Sequence, residues 1–128
     1  MSYYFSKTVE MSFDKAVLRV IEELKKEGFG VLTDIDVKET LKKKLNVDFK
    51  KYKILGACNP PFAYKALQAE DKIGLMLPCN VVVQEISKRE IEVAAIDPVA
   101  SMQAIDNPKL RDVAEQVRNK LKKVIDSL

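Results

Sequence analysis

Apolar and polar residues alternate over residues 3–10, with Tyr3, Phe5 and Val9 on one parity and Ser6, Thr8 and Glu10 on the other. That period of two predicts a strand with one buried face. The period changes at Ser12, a helix-capping residue with Asp14 placed in the first turn. Phe13, Val17, Ile21 and Leu24, flanked by Ala16 and Val20, form an apolar stripe at helical spacing, and Gly28 supplies the left-handed stop. Phe29 to Ile35 reads as a strand rich in β-formers. Asp36 and Glu39 have capping-box spacing, which predicts a short helix over 37–45, buried through Val37, Leu41 and Leu45 and closed by Asn46.

Residues 52–58 predict a third strand. Asn59-Pro60-Pro61 then reads as a cap followed by prolines in the first turn of a helix reaching about Glu70. Gly74 to Leu77 reads as apolar and extended, and Pro78 restricts that point to an edge or a bulge. Residues 80–86, with Val81-Val82-Val83, and 90–96 form a hairpin around Ser87-Lys88-Arg89. Asn107-Pro108 opens a final helix whose stripe runs from Leu110 to Leu128. The order is β-α-β-β-β-β-α with short inserted helices. It predicts one α+β domain over 1–128: a curved, mainly antiparallel sheet of about five strands with two long helices on one face. The second face is then solvated or covered by another copy. Three valines in succession favour the copy, so a homodimer is expected.

Composition sharpens this picture. The 128 residues are 47% hydrophobic and 32% charged, compatible with a folded core and not with disorder. There is no histidine, which excludes Ser-His and Cys-His dyads and imidazole metal sites. The net charge of +3 is no nucleic-acid signature. Charge is nonetheless uneven: residues 38–53 hold seven lysines against Glu39 and Asp48, most simply a solvated face. No nucleic acid partner is expected. No apolar run approaches the ~18 residues of a membrane span, so no membrane partner is expected either. The N-terminus has no signal-peptide pattern, and two cysteines without one point to free thiols in the cytoplasm.

The distinctive text is Gly56-Ala57-Cys58-Asn59-Pro60-Pro61 and Leu77-Pro78-Cys79-Asn80-Val81. Each cysteine precedes an asparagine at an element boundary beside proline. Cys58 lies before a predicted helix start, where backbone N–H groups and the helix dipole favour a thiolate. A free cysteine equally packs as a small buried hydrophobe. Asn59 reads first as a cap. Asn80 begins an apolar strand, where a buried amide needs partners. Two cysteines with twenty residues between them match no zinc pattern, and two thiolates would suit only a soft ion such as Cu(I); no metal is assigned. Asp97, in Ile96-Asp97-Pro98, completes the candidate set, with an Asp-Pro turn as its plain alternative.

With these residues in view, the chain resembles the family called domain of unknown function 302. The matching text includes Gly28-Phe29-Gly30-Val31-Leu32-Thr33, Leu41-Lys42-Lys43-Lys44-Leu45, Tyr52 through Pro60, Leu77 through Val83 and Ile96-Asp97-Pro98. The resemblance spans essentially the whole chain and implies a TATA-binding-protein-like α+β fold. It implies no reaction and no cofactor.

The expected function is a small-ligand-binding module with a cleft at Cys58, Asn59, Cys79, Asn80 and Asp97. The alternative is a thiol-dependent or redox enzyme with Cys58 as nucleophile and Cys79 as resolving thiol. Its base would be Lys53, Lys65 or Asp97, or the helix terminus would take that role. A third alternative is an interaction domain in which both motifs only shape corners.

Overall fold

The computed structural model describes residues 2–128. Its strands are β1 (Tyr4–Glu10), β2 (Gly30–Asp36), β3 (Tyr52–Cys58), β4 (Cys79–Ser87) and β5 (Glu90–Ile96). Its α-helices are α1 (Phe13–Lys26), α2 (Val37–Leu45), α3 (Pro60–Ala69), α4 (Pro98–Ser101) and α5 (Pro108–Asp126). The strands form one sheet in the order β1-β5-β4-β3-β2, with every neighbouring pair antiparallel. The α+β architecture read from the sequence is therefore the one observed. Residues 71–76 differ from it. Asp71–Met76 is a 3-10 helix and not an extended segment, and Pro78 lies just before β4.

Alternation decides which side is core. Leu55 and Ala57 of β3, Val81 and Val83 of β4, and Ile91, Val93 and Ala95 of β5 are all buried. They meet Ala16, Val20 and Leu24 of α1 and Val117, Leu121 and Val124 of α5 in one cluster. The outward positions between them carry no lysine or arginine: Ser6 and Thr8, Tyr52 and Ile54, Asn80, Val82 and Gln84, Glu92 and Ala94. Val82 is thus half-buried between two fully buried valines. Tyr3 precedes β1 and is exposed, so it does not share the inward side with Phe5 and Val9.

Helix ends follow the local sequence. Ser12 Oγ accepts from the Lys15 N–H, and Asp36 Oδ1 from the Glu39 N–H. Gly28, at φ +86°, closes α1: the Phe29 N–H donates to the Leu24 carbonyl and the Gly28 N–H to the Lys25 carbonyl. This is the two-bond Schellman closure, which glycine accommodates without a Cβ penalty. Asn46 ends α2 in the left-handed region. The predicted burial of α2 is observed only in part, with Val37 and Leu41 half-buried. No residue of this helix is buried, and Leu45 is exposed. The helix sits in the connection between the paired strands β2 and β3 and touches chiefly those two strands at the sheet edge.

Gly56 marks a close approach within the sheet. A Cβ there would run into Thr33 Oγ1 and lie 2.7 Å from Pro78 Cγ. Gly56→Ala is expected to destabilise the fold by on the order of 2 kcal/mol through overpacking. Thermal unfolding should show the loss, and adding Thr33→Ala should restore part of it because one of the two clashing groups is gone.

Candidate functional site

The sheet register brings the two cysteines together. Ala57 is paired with Cys79 and Gly30 with Cys58, so adjacent strand ends carry both thiols. Both line a cavity of about 310 Å³ enclosed by the end of the sheet, α3, α5 and the turn after β5. Its walls are apolar: Phe29, Phe62, Leu77, Met102, Leu110, Val113 and Val117, with Leu32 and Leu67 exposed on its lining. The space exists because alanines face it where larger residues would fill it. Ala57, Ala63, Ala66 and Ala114 all line the cavity.

Two asparagines hold α3 in place as a wall. Asn59 occupies the N-cap position of α3, but its side chain makes no capping bond. Instead Nδ2 donates to the Glu27 carbonyl, 3.1 Å away at the end of α1. At the other end of α3, Asn107 Nδ2 donates to the Ala69 carbonyl at 2.7 Å, while Asn107 Oδ1 caps α5. Asn59 is only 8% exposed and lines the cavity. Its Oδ1 accepts from no protein donor, yet no side-chain polar atom among the described residues is both fully buried and unpartnered. That oxygen is an acceptor left open on a residue that lines the cavity.

Cys58 is half-buried and Cys79 buried. Burial pushes the Cys79 thiol up to about 11, and the nearby Cys58 adds to the shift. The expected activation of Cys58 by a helix terminus has little to act through. Pro60 and Pro61 have no N–H, and the Ala63 N–H is taken by the Asn59 carbonyl, leaving only the Phe62 N–H in that turn. Both lysines proposed as bases already have partners. Lys53 pairs with Asp34 at 3.3 Å, and Lys65 lies over the Phe62 ring at 5.7 Å.

Of the five candidate residues, the structure brings together Cys58, Asn59 and Cys79. Asn80 does not join them. It pairs with Gly56 on the outward parity of β4, where it is exposed. Asp97 lies at the same end of the sheet but borders a separate groove with Arg111 and Arg118. Its Oδ1 caps α4 through the Val99 N–H at 3.0 Å, and its Oδ2 accepts from Arg118 Nε at 3.1 Å. Both oxygens are thus held by the fold. The sequence reading missed the apolar walls of the cavity. Their signal was the Phe62-Ala63 and Ala66-Leu67 spacing, which puts small and large apolar residues on one side of α3.

A small open α+β domain with an apolar end cavity is the class that this fold and site define. The chain belongs to the DUF302 family, a domain of unknown function, whose family model matches residues 5–128. It is similar to the solved structure described as an uncharacterized conserved protein DUF302 from Bacillus stearothermophilus. The two share 28% identity over 98% of each chain, with a TM-score of 0.90. No curated protein sequence matches the chain.

The thiol environments predict unequal reactivity. Iodoacetamide near neutral pH should modify Cys58 while Cys79 reacts only after denaturation, read by peptide mass. Because the folded Cys79 holds its proton above the ordinary value of 9.0, its contribution to stability is full below pH 9 and lost as pH rises to about 11. Denaturant midpoints for the native chain should fall across that window, and those of Cys79→Ala should fall less.

Proposed function

We propose that this protein is a homodimeric binding module that takes a small, largely apolar molecule bearing one hydrogen-bond donor. The observation carrying this reading is a cavity of about 310 Å³ with apolar walls, lined also by Asn59, whose Oδ1 accepts from no protein donor. That volume lies at the lower end of the ~300–1,000 Å³ usual for ligand sites. A hydroxyl or amide N–H on the ligand would complete the Asn59 amide, and the alanines leave room for the apolar body. The adjacent thiols supply soft, polarizable contacts. The geometry favours binding over thiol catalysis, because the start of α3 offers one N–H donor and Cys79 keeps its proton at neutral pH.

Phenol and toluene test this as a matched pair. Both should bind the native chain in an NMR titration, with phenol tighter by roughly two- to tenfold, the worth of one hydrogen bond. Ala63→Phe and Ala66→Leu should each abolish both. If neither compound binds, or both variants bind as well as the native chain, the reading is wrong.

The homodimer is supported by the outward sheet face. Val82, Ala94 and Ile96 lie beside Tyr3, Tyr4 and Tyr52 along one shallow groove. With no lysine or arginine among the strands' outward positions, this face offers nothing to a phosphate backbone, and its outward acids, Glu10, Glu90 and Glu92, are confined to β1 and β5. Light scattering should give twice the 14.5 kDa chain mass, and Val82→Lys should return it to the mass of one chain. A single-chain mass for the native protein at micromolar concentration would remove the dimer from the proposal.

A further inference from the structure

The connection between β2 and β3 projects from the fold and carries two properties that water alone does not reconcile. Every residue from 42 to 50 is exposed, including Leu45 at 66%, Val47 at 43% and Phe49 at 37%. The same stretch is rich in lysine. Lys42 pairs with Asp48 at 3.3 Å, Lys43 with Glu39 at 2.9 Å, and Lys38 Nζ donates to the Phe49 carbonyl at 2.7 Å. Lys44, Lys50 and Lys51 have no carboxylate partner among the described residues. Exposed pairs of this kind neutralise little, so the segment remains cationic.

Three surfaces could cover it, and charge and shape separate them. A second copy docking symmetrically would set lysine against lysine. A nucleic acid would satisfy the lysines but leave Leu45 and Val47 in water. Its stacking partner would have to be Phe49, which already lies 6.1 Å from Tyr52 with Lys50 over its ring at 5.9 Å. An anionic bilayer satisfies both properties together. Headgroups take the lysines, and the boundary between headgroups and acyl chains takes the apolar tips.

We infer that residues 44–51 form a peripheral contact with anionic lipid. This revises the expectation of no membrane partner, which rested on the lack of a spanning segment. Among the described residues no helix is long and apolar enough to cross a membrane, and a superficial contact needs none. The lipid surface recognises Lys44, Lys50 and Lys51 by charge and Leu45, Val47 and Phe49 by transfer from water. The contact does not involve the cavity, so its outcome is independent of the ligand proposal.

The test is co-sedimentation of the full chain with phosphatidylcholine vesicles, with and without phosphatidylserine. Binding is expected only with phosphatidylserine, and it should weaken as salt is raised because the lysine term is screened. Leu45→Ser, Val47→Ser and Phe49→Ser together should reduce it at least about tenfold, as should Lys44→Gln, Lys50→Gln and Lys51→Gln together. All six side chains are exposed, so both triple variants should keep the native unfolding temperature. The inference is overturned by a failure to sediment with phosphatidylserine vesicles, or by equal binding to phosphatidylcholine alone. Undiminished binding of both triple variants also overturns it. Retention on an RNA matrix at physiological salt that survives the serine substitutions would assign the patch to nucleic acid instead.

Discussion

The arrangement depends on one constraint: a five-stranded sheet has two faces, and the chain carries enough long amphipathic helix for one. α1 crosses the inward face on its way from β1 to β2, and those two strands become opposite edges of the sheet. α5 lies beside it and completes the inward layer. The remaining helices must go where the sheet ends. α3 and α4 close the end that holds the starts of β2 and β4, and α2 hangs from the opposite end of β2. The cavity, the open face and the lysine-rich projection are consequences of that single shortage.

The wall formed by α3 packs on the core through Ala66 and Phe62 and is tied at both ends by hydrogen bonds to backbone carbonyls. Only Ala66 of this helix is fully buried. Two amides donate to carbonyls at either end, from Asn59 to Glu27 and from Asn107 to Ala69. Those carbonyls belong to the last turns of α1 and α3, where helix geometry leaves acceptors without partners. One donor thus satisfies an orphan acceptor and fixes a helix-to-helix angle at once.

Much of the fold was legible from the chain. The stripes of α1 and α5, the Gly28 stop and the Asn107 cap each rest on a local rule, and each appears where the sequence places it. The antiparallel hairpin of β4 and β5 was legible too, because a short turn joins them. The burial of α2 was not. Its apolar spacing is that of a packed helix, and only the strand order reveals that it lies at the sheet edge, where Val37 and Leu41 are half-buried and Leu45 is exposed. The 3-10 turn over 71–76 was missed because a short apolar run with one glycine is ambiguous by period alone. For the site, adjacency in text was misleading. Asn80 follows Cys79, yet strand alternation sends the two to opposite faces. Asp97 was placed at the correct end of the sheet, but its partner Arg118 lies in another helix, beyond reach of any local pattern.

The Asn59 amide has a further consequence for how the site can change over time. Its nitrogen ties the start of α3 to the end of α1 and its oxygen accepts from no protein donor, so one side chain both holds the joint and lines the cavity. Aspartate, the nearest substitute in shape, would remove the donor that ties α3 to α1. Leucine, which has neither donor nor acceptor, would remove both. Gly28 tightens the coupling, since a Cβ there would come within 3.1 Å of the same nitrogen. Any change at this corner therefore acts on the joint between α1 and α3 and on the lining of the cavity at once.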